Sequence, residues 1–326
     1  MTITSDSRKV ILILTNREDV TADYVVLELK RRAIPFFRFN TEDFPKIINL
    51  SLHITNELQG FLSGCNYKLP INDIRSVWYR RPSLPCFDEP AMDPGIREFC
   101  TKESYYTLEG LWALLDVFWI SNPFNIRKAE NKPFQLQVAS RIGFQIPQTL
   151  ISNNQLEIKR FLENNEEVII KPVRTATLQI NKEENIIFTN TINQSSVEHI
   201  ALARFAPSIY QEKISKKYDI RVTAIGEAVF ATEIHSQKYQ ESQTDWRRGE
   251  NPNIPHKKHV LPPDIERKCI EINKVLGLQF SAIDLILATS GQYYFLEINP
   301  NGQWAWIEER TGYKLTQYLV DLLCEN

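Results

Sequence analysis

The sequence predicts an α/β protein of the α+β kind, with a parallel-sheet lobe first and mostly antiparallel strands later. Three observations carry this. The apolar runs "VILILT" (10–15) and "PFFRFN" (35–40) flank a helical stretch over 20–32, a β-α-β opening that builds a parallel sheet. In the last third, strands are joined by Gly226-Glu227 and Ser290-Gly291, which read as two-residue antiparallel turns. A length of 326 residues accommodates two or three lobes.

The elements follow in order. The first helix carries apolar positions at Val20, Tyr24, Val25 and Leu27–Leu29. "LSLHIT" and "RSVWYRRP" add strands near 50–55 and 75–81. A long helix covers about 95–117, and Asn122-Pro123 closes a first lobe spanning 1–121. A helix over 133–142 starts at Pro133, carries Phe134, Val138, Ala139 and Ile142 as its apolar stripe, and stops at Gly143. "EVIIKPV" (167–173) is a buried strand interrupted by Lys171. "TATLQI" and "NIIFTNT" flank the polar turn 181–185 and read as a hairpin, and 196–205 as a short helix. This central lobe spans 122–208. The C-terminal lobe, 209–326, holds strands in "KYDIRVTAI", "AVFATEIH", "FSAIDLILA" and "QYYFLEIN", a helix at 263–276 ended by Gly277, and a final helix at 314–323.

Composition excludes several function classes. Hydrophobic residues make up 43% and charged residues 24%, as in ordinary globular proteins, and the net charge of −2 offers no basic field for nucleic acid and no polybasic membrane patch. The apolar runs are too short to span a bilayer, and no signal peptide is expected. Five scattered cysteines without a CxxC spacing point to reduced thiols in a cytoplasmic protein. The five histidines show no metal-ligand spacing and read as structural or solvated.

The chemistry gathers in "YYFLEINPNGQW" (293–304). With Ser290-Gly291 as a two-residue turn, Thr289 pairs with Gln292, and Asp284 falls opposite Glu297. Their Cβ atoms are then about 5 Å apart. Asn299, two residues on, shares that face. Two carboxylates and an amide oxygen are hard ligands suited to Mg²⁺, which takes one or two carboxylates plus phosphate oxygens. Neither GxxxxGK[ST] nor GxGxxG occurs, so side chains must hold the phosphates, and Lys171 and Lys132 are the candidates. "IYQEKI" (209–214) is a short strand whose backbone suits an adenine edge. "YDIRV" places Asp219 and Arg221 on one face, and "TDWRRG" offers Asp245, Arg247 and Arg248 in a loop. Two arginines near phosphates stabilise charge that develops in transfer.

These pieces, in this order, resemble the ATP-grasp enzymes over roughly 122–326, and the first lobe resembles the pre-ATP-grasp domain that precedes them. The resemblance implies Mg²⁺ ligands at Asp284, Glu297 and Asn299, and phosphate lysines at Lys132 and Lys171. It further implies an adenine-reading hinge at Gln211, Glu212, Lys213 and Ile214, a ribose-side position at Asp219, and arginines near the γ-phosphate and acyl-phosphate at Arg221 and Arg247. The segment after Lys171, "PVRTATLQI", departs from the glycine-rich loop of many members. More narrowly, "VWYRRP" (77–82), "DWRR" (245–248) and "EINPNGQW" resemble the microviridin-type peptide maturases, or graspetide synthetases. That implies ATP and Mg²⁺ as cofactors and a precursor peptide as partner. Its Asp or Glu side chains become acyl-phosphates, attacked by a Ser/Thr hydroxyl or a Lys amine of the same peptide. The 178–190 hairpin is the candidate leader-binding element, with a cover over ATP as its alternative. The chain is expected to act as a homodimer. Three alternatives differ in outcome: a glutamate-ligase-like enzyme joining two molecules, a phosphotransferase on the same fold, and a nucleotide-binding regulator without turnover.

Overall fold

The computed structural model describes residues 9–56, 58–64, 66–174, 177–180, 183–192, 201, 203–248 and 251–325. The chain divides into two compact units. The first comprises Met1–Pro123, Gln303–Ala305 and Lys314–Asn326. Its parallel sheet has the order β2-β1-β6-β7, built from β1 (Val10–Thr15), β2 (Phe36–Asn40), β6 (Ile74–Tyr79) and β7 (Phe118–Ile120). Helix α1 (Val20–Arg31) makes the β1–β2 crossover and α2 (Pro94–Leu114) the β6–β7 crossover. Asp19 caps α1 by accepting from Ala22 N, and Lys30 and Arg31 close its last turn. The buried stripe of α1 is Ala22, Val25 and Leu29, whereas Val20 and Leu27 are exposed. The strand expected near 50–55 belongs to a separate antiparallel meander, β3 (Asn49–Ile54), β4 (Leu58–Gly64) and β5 (Tyr67–Pro70). It packs Leu50, Leu52 and Leu62 into the core of this unit. The C-terminal helix (Leu315–Glu325) joins the same unit, where Ser76 Oγ donates to Leu323 O at 2.9 Å.

The second unit comprises Phe124–Gly302 and Trp306–Tyr313. Helices α3 (Pro123–Ala129) and α4 (Lys132–Ile142) lead into it. A four-stranded antiparallel sheet has the order β12-β9-β13-β8, from β8 (Thr149–Ser152), β9 (Val168–Pro172), β12 (Asn190–Ile192) and β13 (Ser208–Glu212). Val168 and Tyr210 point to one face, packing on Ile158 and Leu162 of α5 (Gln155–Glu163). Lys171, Ile169, Ile209 and Gln211 share the other face, because Lys171 pairs with Ile209 and Gln211 with Ile169. Strands β10 (Thr177–Ile180) and β11 (Glu183–Ile186) form a two-stranded hairpin, shorter than expected, since Asn190–Ile192 pairs with β9 instead. Lys182 of the expected tip, and residues 196–200 and 202 of the expected 196–205 helix, lie outside the described residues.

The five-stranded antiparallel sheet has the order β16-β15-β14-β17-β18. Its strands are β14 (Lys216–Ile225), β15 (Ala228–Ile234), β16 (His256–His259), β17 (Phe280–Ala288) and β18 (Tyr293–Asn299). Helix α6 (Pro263–Leu276) ends at Gly277, whose φ of 67° is left-handed, and α7 (Ala305–Thr311) follows β18. The β14–β15 turn is the expected two-residue Gly226-Glu227, since Ile225 pairs with Ala228. The β17–β18 turn is not. Ala288 N donates to Gln292 O at 2.9 Å, so the loop is Thr289-Ser290-Gly291, with Gly291 at φ 86°. A bulge then intervenes: Leu285 pairs with Phe295, yet Asp284 pairs with Glu297. The extra loop residue and the bulge at Leu296 cancel, so the expected carboxylate pair forms by a different route.

Candidate active site

Three strands place a row of charge on one face. Arg221 of β14 pairs with Asp284 of β17, which pairs with Glu297 of β18. Residues directly opposite in an antiparallel sheet project to the same side. Arg221 Nη1 donates to both Asp284 oxygens at 2.9 and 2.8 Å. Lys132 Nζ lies 3.0 Å from Glu297 Oε2 and 3.4 Å from the Pro172 carbonyl. Like charges opposite each other are destabilising, and here each carboxylate has its own cation. Burial works against the Glu297 charge, but Lys132 and Lys171 outweigh it and hold the carboxyl at about 2. Burial, with Glu297 beside it, pushes the Asp284 carboxyl up, against the pull of Arg221. Lys171 is buried, and burial lowers its ammonium to about 8 despite the attraction of Glu297.

Asn299 shares the face, since it pairs with Ala282. Its Oδ1 accepts from Asn301 N at 3.0 Å, which shapes the turn after β18. Asp284, Glu297 and Asn299 therefore form a two-carboxylate, one-amide oxygen set. Among the described residues there is no group of three or more His, Cys, Asp and Glu suited to a metal. Such a set fits an ion that takes its remaining ligands from phosphate and water, as Mg²⁺ does.

Arg247 is held in a fork by Asp245, through Nε at 2.9 Å and Nη2 at 2.7 Å. That contact keeps the guanidinium charged, with Glu297 and Asp284 adding to it. Arg248 is engaged elsewhere: its Nη2 donates to Thr189 O and Asn190 Oδ1, and its guanidinium lies over Phe188. The Asp245 carboxylate also accepts from Thr189 N, so the 245–248 loop is tied to segment 188–190.

The remaining candidates lie on β13, β14 and the link between them. Gln211 is fully buried; its Nε2 donates to Thr149 Oγ1 at 2.8 Å, and its Oε1 is a buried acceptor without a donor. Glu212 N donates to Gln148 O and Lys213 N to Glu167 O. The Lys213 side chain pairs with Glu167 at 2.9 Å. Ile214 follows directly, between β13 and β14. Asp219 is buried, with both oxygens engaged by Lys216 and one by Ser236. Its charge is thus paired with Lys216.

One organising residue escapes sequence reasoning. Gln135, buried in α4, donates from Nε2 to Ala129 O at 2.6 Å and Ile298 O at 2.8 Å, and accepts from Ile298 N at 3.1 Å. It takes the place of a neighbouring strand on the edge of β18, one residue from Glu297. It lies one helical turn after Lys132, so it sets the Lys132–Glu297 pair. The available signal was a glutamine inside an otherwise apolar helix face.

Comparison with known proteins identifies the family. Residues 10–127 match the MvdD pre-ATP grasp domain and residues 129–323 the RimK-like ATP-grasp domain. The chain is 31% identical to a Chryseobacterium gregarium RiPP-associated ATP-grasp ligase solved with ADP and a leader and core peptide, covering 97% of each chain at a TM-score of 0.90. It is 28% identical to the macrocyclase MdnC from Microcystis aeruginosa MRC, solved with the precursor peptide MdnA, covering 98% of this chain and 100% of that one at a TM-score of 0.86. It is also 24% identical to a probable alpha-L-glutamate ligase of Marinomonas sp. (strain MWYL1), over 75% of this chain and 79% of that protein. With the charged row of the five-stranded sheet, the buried Lys171 and both domain matches in place, the chain belongs to the ATP-grasp ligase family, as a pre-ATP-grasp domain followed by a RimK-like ATP-grasp domain.

Proposed function

We propose that this chain uses ATP to close rings in a ribosomally made precursor peptide. An Asp or Glu side chain of the peptide attacks the γ-phosphorus, ADP departs, and an acyl-phosphate forms. A Ser/Thr hydroxyl or a Lys amine of the same peptide then attacks the acyl carbon. It loses its proton, phosphate leaves, and a lactone or lactam remains. The peptide ends one water lighter per ring. The observation that carries the reading is the in-register row Arg221–Asp284–Glu297, closed by Lys132 and the buried Lys171. Similarity to ligases solved with leader, core or precursor peptides supports the substrate class.

Each residue has a task that its surroundings fit. Lys132 and Lys171 hold the phosphates in place of a glycine-rich loop. Arg221 and Arg247 neutralise the phosphoryl group and the acyl-phosphate oxyanion, in a site where buried charge acts strongly. Gln211 shares a sheet face with Lys171, and an adenine amino group would supply the donor that its buried Oε1 lacks. With the Glu212 and Lys213 amides already engaged, the Lys213 carbonyl and Ile214 amide remain as the hinge edge for the base. Asp284, Glu297 and Asn299 would hold Mg²⁺, which when bound neutralises phosphate charge and orients the γ-phosphoryl group. Holding both reacting groups in one bound peptide supplies proximity. The leader segment docks on the β10–β11 hairpin, whose Leu178 and Ile186 are about half exposed. Assembly as a homodimer in the cytoplasm belongs to the same proposal.

The test is a mass spectrum of a candidate precursor peptide, with a leader and a core rich in Ser, Thr, Lys, Asp and Glu, after incubation with the protein, ATP and Mg²⁺. Loss of one water per ring is expected. Addition of phosphate would mark a phosphotransferase. Addition of a second molecule would mark an intermolecular ligase; the Marinomonas relative is named a probable alpha-L-glutamate ligase. Either result overturns the proposal, as does an unchanged peptide.

A further inference from the structure

We infer that Gly302 is a positioning residue for Arg221, a role that rests on the reading of Arg221 as a phosphate-stabilising group. The glycine closes the turn after β18, where its N–H donates to Asn299 O at 3.3 Å. Its backbone is not left-handed, so conformational freedom does not explain it. Space does. A Cβ added at 302 would lie 2.3 Å from the Ala282 methyl, 2.7 Å from Arg221 Nη2 and 3.4 Å from Asn299 O. The turn therefore seats directly on β17 and β14, with the guanidinium and one methyl as its floor.

The two obstacles differ in kind. The Ala282 methyl is fixed to a central strand, where any clash must be met by backbone movement. The Arg221 guanidinium ends a flexible chain, but it is pinned on its other side by Nη1 contacts to both Asp284 oxygens. A methyl at 302 would push Nη2 and rotate that fork away from Asp284. Gly302 thus fixes the angle at which Arg221 meets Asp284 and whatever phosphate approaches them. A displacement near 1 Å in such a group is enough to cost about a hundredfold in rate.

The experiment separates packing from positioning. Gly302→Ala, Ala282→Gly and the double variant are compared with wild type for thermal melting, ATP affinity by calorimetry, and precursor dehydration at saturating ATP and peptide. Ala282→Gly opens the rigid side of the slot and leaves only the guanidinium to move. The double variant is expected to melt near the Ala282→Gly control and to bind ATP within about twofold of wild type, yet to lose about a hundredfold in kcat. Wild-type kcat in the double variant, or a loss confined to the ATP KM, would show that the slot serves packing alone. Arg221→Ala is the outer control. If it keeps wild-type kcat, the reading of Arg221 fails and this inference with it. If Arg221→Ala is inactive while the double variant is fully active, only the role of Gly302 fails.

Discussion

Two hairpins of the second unit make opposite use of the same local design. The β17–β18 hairpin pairs one strand with β14 and has its other edge stapled by side-chain and backbone groups of 129–145: Gln135 engages Ile298, and Phe295 N donates to Gln145 O at 2.8 Å. Its carboxylates are compensated before any ligand arrives. The β10–β11 hairpin pairs four residues with four, has no third strand among the described residues, and leaves Leu178 and Ile186 about half exposed. An isolated two-stranded hairpin is marginal in water. The contrast lies in preorganisation: the stapled hairpin carries its charges already paired, and the unstapled one leaves apolar side chains half exposed.

The largest effect should come from breaking the charge row. Glu297→Gln removes the carboxylate that Lys132 contacts and that acts on Lys171. Dehydration and ATP turnover are expected to fall roughly 10²–10³-fold or more, with the fold intact by circular dichroism. Normal turnover would remove Glu297 from the site. Next comes the staple. Gln135→Leu strips the partners from a buried N–H and two carbonyls, and is expected to cost at least about 1–3 kcal/mol in denaturant unfolding. It should also speed amide exchange at Ile298. Unchanged protection there would mean that the β18 edge stands without it.

The unstapled hairpin should respond differently. Leu178→Ser with Ile186→Ser touches exposed side chains, so melting and ATP affinity should hold. Leader binding by fluorescence anisotropy should weaken roughly tenfold, the value of one or two apolar contacts. If ATP affinity falls instead and leader binding holds, the hairpin is a cover over the nucleotide. The smallest effect concerns pH. Burial lowers Lys171 to about 8, so the free protein loses this charge as pH rises through about 8. Phosphates favour the charged form, and ATP affinity by calorimetry should drop several-fold from pH 7 to 9. Lys171→Arg should flatten that profile. The unfolded chain keeps its proton into the ordinary lysine range, so above about pH 8 this group makes the nucleotide-free fold more stable as pH rises. A wild-type affinity flat from pH 7 to 9 would detach Lys171 from the phosphates.

Local pattern was enough for most elements. Gly143 and Gly277 end their helices in left-handed conformations as expected, and the β-α-β opening does build a parallel sheet. The meander strands β4 and β5 and the short β7 lacked a comparable signal, since their sequences neither alternate cleanly nor end in strong turns. The β17–β18 register was legible in outcome but not in mechanism. Ser290-Gly291 marks a turn without saying whether two or three residues form it, and a bulge has no signature inside an apolar strand. Arg248 shows the same limit, because an arginine in a polar loop carries no mark of whether it will meet a phosphate or the Thr189 carbonyl.

By itself the sequence determined which residue types face one another along each strand, because side chains alternate with a period of two and glycine punctuates the turns. That places Asp284, Glu297 and Asn299 on one face and Lys171 in a buried strand. Only the tertiary structure decided the counter-charges. Lys132 reaches Glu297 because Gln135 fastens α4 to β18, and Arg221 meets Asp284 because β14 lies beside β17 with Gly302 leaving room above it. These partners are up to 165 residues apart in sequence, Lys132 to Glu297, and no local period records a contact that long-range packing alone creates.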